Sequence, residues 1–258
     1  MRSGAQLNTR LVTNLRTLHL PTVRESFEAE AVRATQESMS YEQYLLEVTD
    51  REVDMRQQNR VARLLRGSRL PLEKTLESFN QKRLPRKVAV QFKTLLDGSF
   101  LDRKENVLAF GKPGSGKTHL LCALAHELIH QGRTVLFAPC ALLVQELLIA
   151  KRDLKLARIL KRFGRFDAIL IDDLGYVQQS REEMEVLFAL LADRYERSSV
   201  LLTSNLEFSK WESIFKDPMT TAAAIDRLIH HCVVLELNLR SYRLEEAQSQ
   251  GRGEKGQP

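Results

Sequence analysis

The stretch Val107-Leu108-Ala109-Phe110-Gly111-Lys112-Pro113-Gly114-Ser115-Gly116-Lys117-Thr118-His119-Leu120-Leu121 decides how this chain folds. Four apolar residues run directly into G-x-x-x-x-G-K-[ST], and a helical pattern with Leu120, Leu121, Leu124 and Leu128 follows at once. Strand, glycine-rich turn and helix in that order make a phosphate cradle. Glycines let the backbone curl until several N–H groups face one anion, and the helix start adds a dipole that favours negative charge. The pattern predicts that Gly111, Lys112, Pro113, Gly114, Ser115, Gly116, Lys117, Thr118 and His119 surround the phosphates of a nucleotide. Lys117 is expected to reach the β- and γ-phosphates, and the Thr118 hydroxyl to ligate Mg2+. Chance alone would give the eight-residue pattern in roughly 1% of chains of this length at ordinary glycine usage, and the flanking strand and helix lower that figure.

Working outward, Ala168-Ile169-Leu170-Ile171-Asp172-Asp173 is an apolar strand that ends in two carboxylates, the second element such a loop requires. Asp172 is expected to hold Mg2+ through its water shell, and Asp173 to orient or deprotonate the attacking water. Ser180 and Glu183 form a capping box ahead of a helix to Tyr195, and the strand Val200–Thr203 then delivers Asn205 beside the two carboxylates.

The same alternation extends from about residue 100 onward. Strands at Val107–Phe110, Thr134–Ala138, Ala168–Ile171, Val200–Thr203 and Val233–Leu237 are apolar at nearly every position and are separated by helical segments. Strands of that kind are buried on both faces, so the prediction is an α/β core with a parallel sheet flanked by helices. Residues 1–70 contain few glycines and read as a small all-helical domain, with Leu11, Leu15 and Leu18, then Tyr41, Tyr44, Leu45 and Val48, at helical spacing and Ser40 as a cap. Residues 71–100, punctuated by Pro71 and Pro85, read as an extended and irregular connector; 101–246 read as the α/β domain and 247–258 as a disordered tail.

The chain has 258 residues, 43% hydrophobic and 28% charged, which excludes a collagen, a fully disordered chain and a disulfide mini-protein. Cys122, Cys140 and Cys232 lie far apart and make no C-x-x-C pair, so they read as small core residues. No apolar run approaches the ~18 residues of a membrane span, and the start carries no apolar signal core, so a cytoplasmic protein without a membrane partner is expected. His126-Glu127-Leu128-Ile129-His130 matches the zinc-protease H-E-x-x-H literally, but its helix begins at the phosphate loop and the carboxylate strand belongs to nucleotide chemistry. Of the formal net charge of +6, an equal excess sits in residues 151–165, where seven residues are basic and one is acidic. With Leu154, Leu156, Ile159, Leu160 and Phe163 available to pack inward, this stretch reads as one amphipathic helix. Its outer face would carry Lys151, Arg152, Lys155, Arg158, Lys161 and Arg162, a basic surface for a polyanion or simply a solvated face.

Taken together, these residues resemble the AAA+ ATPases, in particular the DnaA/DnaC-like branch that includes the IstB-like insertion-sequence helper ATPases. The resemblance rests on Lys112 to Leu120, Ile171-Asp172-Asp173-Leu174-Gly175-Tyr176, Arg194-Tyr195-Glu196, Thr203-Ser204-Asn205, Phe208 to Trp211, Asp226-Arg227-Leu228 with His230, and Ser241-Tyr242-Arg243-Leu244. It implies ATP and Mg2+ as cofactors, Asn205 as the first sensor, Arg227 as a finger reaching the γ-phosphate held by a neighbouring subunit, and Arg243 as a nucleotide-sensing arginine. It further implies a bacterial ATPase that assembles as a ring or helix on double-stranded DNA, contacts its phosphates through the basic residues of 151–165 largely without sequence preference, is nucleoid-associated when bound, and regulates target choice by a partner transposase. A DnaC-type replicative helicase loader is the alternative. Two departures stand out: Leu239-Arg240 occupy the place of the usual glycine, and Asp173 stands where many relatives carry Glu. The shorter carboxylate implies slow turnover, stimulated by DNA or partner. The length beyond Leu244 implies no C-terminal helical lid.

Overall fold

Five apolar segments become strands because each places β-branched and aliphatic side chains on both faces, where helices cover them. In a computed structural model of the chain, which describes residues 4–175, 180–206, 210–211, 218–239 and 241–242, these are β1 (Asn106–Gly111), β2 (Val135–Pro139), β3 (Ala168–Leu174), β4 (Ser199–Ser204) and β5 (Cys232–Leu237). They form one sheet in the order β2-β3-β4-β1-β5, with every neighbouring pair parallel. The helices over its faces are α6 (Lys117–His130), α7 (Cys140–Arg152), α8 (Leu156–Phe163), α9 (Arg181–Arg194) and α10 (Pro218–Ile229). The expected parallel sheet flanked by helices is thus present. Val107, Leu108, Leu120, Leu124, Ile169 and Leu201 are fully enclosed in its core.

The chain divides into two compact units, Met1–Arg63 and Leu64–Pro258. The first is helical: α1 (Gly4–Thr17), α2 (Pro21–Gln36) and α3 (Tyr41–Ser68), the last continuing into the second unit. Leu15, Val23 and Val48 form its small core with Leu20, Phe27 and Tyr44 against them. Leu11, Leu18, Tyr41 and Leu45, which share the helical spacing, remain exposed because three helices of this size bury only a narrow stripe. Ser40 caps α3 reciprocally with Gln43: the Gln43 amide donates to Ser40 Oγ and the Ser40 amide to Gln43 Oε1. Within this unit Glu52 is buried and accepts the amides of Thr22 and Val23 at 2.8 and 3.2 Å, so a carboxylate from α3 satisfies the start of α2. Burial pushes its pKa up, but the Arg56 guanidinium and the two amides outweigh that and leave it below the ordinary carboxylate value.

Two expectations are corrected. Residues 86–102 are not irregular: α4 (Arg86–Leu95) and the short α5 (Ser99–Asp102) lie there. Pro85 sits at the N-cap of α4, where a missing N–H costs nothing, and Val88, Phe92 and Leu95 share a buried face at spacings of four and three. Residues 151–165 are not one helix. After Arg152 the Leu154 backbone turns left-handed, at φ 57. The Lys155 amide reaches Ala150 O at 2.7 Å and the Leu154 amide reaches Lys151 O at 3.1 Å, the paired bonds that close a helix end. Leu154 is 94% exposed, contrary to an inward position, while Leu156, Ile159, Leu160 and Phe163 of α8 pack against the core. The tail from 247, and the question of a lid after Leu244, lie outside the described residues.

Candidate nucleotide-binding site

The loop between β1 and α6 gets its shape from three glycines. A Cβ at Gly111 would stand 2.3 Å from the Leu237 carbonyl of β5. At Gly114, φ 77, it would stand 2.1 Å from Ser241 Oγ, and the Tyr242 amide donates to Gly114 O at 2.9 Å. Gly116, left-handed at φ 95, is the N-cap that starts α6. The turn so formed leaves the Ser115 hydroxyl buried without a protein partner, an orphaned donor inside a loop whose chemistry favours anions. That combination fits a phosphate chain.

Three elements converge on this loop at the C-terminal end of the sheet. Lys117, nearly buried, donates through Nζ to Gly111 O at 2.8 Å, Lys112 O at 3.0 Å and Asn205 Oδ1 at 2.6 Å. Thr118 Oγ1 donates to Asp172 Oδ1 at 2.8 Å, so a hydroxyl and a carboxylate already face one another as hard oxygen donors suited to Mg2+. Asp173 and Asn205 line the same cavity of about 370 Å3, a volume within the range of small-molecule sites. Further lining of its wall comes from the segment before α4, with Lys74, Ser78, Phe79, Asn80 and Arg83, and from Tyr242, whose ring centre lies 5.2 Å from the Arg83 guanidinium carbon.

His119 links that wall to the loop. Its Nε2 lies 3.2 Å from Thr75 O and 3.1 Å from Ser78 Oγ, and its ring meets Phe79 edge-on at 5.1 Å. Burial, partly offset by the Thr75 hydrogen bond, holds the imidazole below its ordinary pKa. His119 thus lines the cavity with its Nε2 engaged by the segment that forms the cavity wall.

Arg227 is not brought to this cavity. It lies on α10 beside the start of β1, where Asn106 Nδ2 donates to Leu228 O at 3.1 Å, and its guanidinium carbon sits 4.9 Å over the Phe188 ring. A strand rises ~3.3 Å per residue, so the two ends of β1 are roughly 16 Å apart. Arg243 lies outside the described residues. Of the six basic residues carried by α7, α8 and the turn between them, Lys151 pairs with Glu185 at 2.8 Å, Lys155 with Asp153 at 3.0 Å, and Arg162 with Glu146. His126 is buried with Nε2 3.1 Å from Pro71 O, whereas His130 is exposed, and the described residues contain no group of three metal-ligating side chains. Cys122 and Cys140 are buried and in no disulfide; burial pushes the Cys122 thiol up to about 12.

A family model described as IstB-like ATP binding protein matches residues 13–250. The chain belongs to this family. Among its relatives is an insertion-sequence ATP-binding protein of Sinorhizobium fredii, 38% identical over 250 residues that cover 96% of this chain and 84% of that one. Another is the insertion sequence IS21 ATP-binding protein of Pseudomonas aeruginosa, 35% identical over 246 residues, 93% of this chain and 90% of the relative. Among solved structures, DnaI superposes with a TM-score of 0.55 at 20% identity, over 66% of this chain and 96% of that one. DnaA from Aquifex aeolicus bound to AMPPCP gives 0.56 at 19% identity, over 72% and 57%. These likenesses place the α/β unit of this IstB-like protein in the AAA+ phosphate-loop fold, and the family makes it an ATP-binding protein.

Thr203 is assigned no role from the sequence, although it stands in the Thr203-Ser204-Asn205 stretch that carries the resemblance. It is fully buried; its Oγ1 donates to Asp172 Oδ1 at 2.7 Å and accepts the Asp173 amide at 2.8 Å. A polar Thr203-Ser204 pair closing an apolar strand beside the carboxylates was the available signal.

Proposed function

We propose that this IstB-like protein is a Mg2+-dependent ATPase that assembles on double-stranded DNA, without strong sequence preference, and helps a partner transposase engage target DNA. Bound MgATP supplies the transferable γ-phosphoryl group, with the metal offsetting its charge. Thr118 and Asp172 hold the metal and its waters, Lys117 and the loop amides hold the phosphates, and Asn205 and Asp173 orient the attacking water. The Asp173 carboxylate, one methylene shorter than Glu, suits slow turnover. Arg243 would report on the nucleotide from the segment after Tyr242. In the cell the protein would be cytoplasmic, on the nucleoid while DNA-bound; none of its described helices is long and apolar enough to cross a membrane.

The observation that carries the reading is the separation of two sets of groups. Lys117, Thr118, Asp172, Asp173 and Asn205 meet at one end of the sheet, and Arg227 lies at the other. A finger placed there cannot serve its own site, so it serves that of a neighbouring copy, and assembly then licenses hydrolysis. DnaI and the DnaC helicase loader share the fold and support a loader as the alternative. The insertion-sequence relatives, closer in sequence and nearly full-length matches, favour transposition.

Mixing experiments test this directly. Arg227→Ala retains an intact nucleotide site without a finger, and Asp173→Asn retains the finger beside a dead site. Each alone should hydrolyse ATP ~10³-fold more slowly than wild type, and the mixture should recover a substantial share. Full activity of Arg227→Ala, or no recovery on mixing, would sink the shared site.

A further inference from the structure

Strands β3 and β4 lose register beside the carboxylates. Ile171 faces Leu202 but Leu174 faces Ser204, so Asp172 and Asp173 together oppose the single residue Thr203. Such a bulge re-aims side chains at the end of a strand, and here it forces Asp173 into the left-handed region at φ 62. Ser204 fixes the register beyond it, its hydroxyl lying 2.9 Å from Leu174 O.

The Thr203 hydroxyl has one proton, and its directions are determined. The Asp173 amide can only donate, so the hydroxyl oxygen accepts it, and the hydroxyl proton goes to Asp172 Oδ1. The same Oδ1 accepts the Thr118 hydroxyl. One fully buried side chain thereby ties the rotamer of Asp172 to the backbone of Asp173, and β4 carries both to Asn205, which holds Lys117.

We infer that Thr203 is a positioning residue for hydrolysis: its hydroxyl aims Asp172 for Mg2+ and pins the strained turn that presents Asp173 to the cavity. The inference rests on the reading of Asp172 as the metal carboxylate. A methyl in place of the hydroxyl keeps the volume, but it frees the Asp172 rotamer and leaves a buried amide unpaired. Loss of one hydrogen bond to a charged group corresponds to a ~10-fold change in an equilibrium.

The test uses the full chain with Thr203→Val, Thr203→Ser and Asp172→Asn. Two readouts are followed: binding of a fluorescent ATP analogue titrated with Mg2+ or held in EDTA, and ATP turnover at saturating Mg2+. Thr203→Val should raise the half-effective Mg2+ concentration ~10-fold and lower kcat, with binding in EDTA unchanged. Thr203→Ser, which restores the hydroxyl, should stay within about twofold of wild type in both readouts. Asp172→Asn should abolish the Mg2+ response. If Asp172→Asn does so and Thr203→Val leaves the Mg2+ midpoint in place, the positioning role is overturned and the metal site stands. If Asp172→Asn responds to Mg2+ like wild type, the metal reading itself falls. Thr203→Ala gives the same readouts should the valine variant not accumulate folded, and an unshifted midpoint there also overturns the inference.

Discussion

His119 joins segments that are far apart in sequence, since its Nε2 contacts Ser78 and Thr75 while its own helix starts at the phosphate loop. Its charge state therefore bears on the whole cavity wall. Burial is the largest influence on it and lowers its pKa from 6.5; Thr75 and Glu73 oppose that and Lys74 reinforces it. In the unfolded chain the imidazole takes up its proton near 6.5, and in the folded chain only at lower pH. Its contribution to stability is therefore intact above about 6.5 and is lost as pH falls from there toward the folded value. Thermal melts of wild type and His119→Gln between pH 7.5 and 5.5 should diverge, with wild type losing more stability on acidification. Parallel curves would place the pH response elsewhere.

At the scale of elements, Arg194 shows how a helix is locked to the sheet. It ends α9 with only 1% of its surface exposed, and its guanidinium donates to Phe163 O at 2.9 Å, Phe166 O at 3.1 Å and Ser199 O at 2.9 Å. Burial lowers its pKa to about 10, so it remains charged at neutral pH. Arg194→Ala removes these donors from buried carbonyls at the end of α8, before β3 and at the start of β4. It should cost about 3 kcal/mol in urea unfolding, with nucleotide affinity per folded molecule unchanged. A loss under about 1 kcal/mol would show that water replaces the guanidinium without penalty. Such clamps are only half legible in the sequence: Arg194 continues the apolar stripe of Leu187, Leu190 and Leu191 along α9, which marks it as enclosed but does not tell which carbonyls it meets. The strands were legible because each is an apolar run with one possible environment, and the loop because glycine and lysine at fixed spacing have few other uses. Helix α4 was hidden by its basic exposed face and by Pro85, which reads as a breaker and stands as a cap. Thr203 was hidden because its partners are separated from it by about 30 residues, and only the bulge brings them together. The break at Leu154 was hidden because a leucine in the left-handed region has no local signature.

At the scale of the molecule, that break changes which charges the proposed DNA surface would use. The excess charge of residues 151–165 first reads as one basic stripe, but the structure distributes it over two helices and the turn between them. Lys151, Lys155 and Arg162 have carboxylate partners, which lower the field they offer to an approaching phosphate. Arg152, Arg158 and Lys161 are exposed and form no ion pair among the described residues. If the DNA surface lies here, Arg158 and Lys161 dominate it, and the paired residues contribute less. Arg158→Glu with Lys161→Glu should weaken DNA binding at physiological salt by at least ~10-fold. It should also reduce the slope of log affinity against log salt by about two, one for each DNA phosphate that is no longer neutralised. Lys151→Glu with Lys155→Glu should change both less, because each partner carboxylate is released as its lysine is removed. ATP binding without DNA should match wild type in both variants, since neither pair lines the nucleotide cavity. An unchanged salt slope in Arg158→Glu with Lys161→Glu would move the DNA surface off α8 altogether.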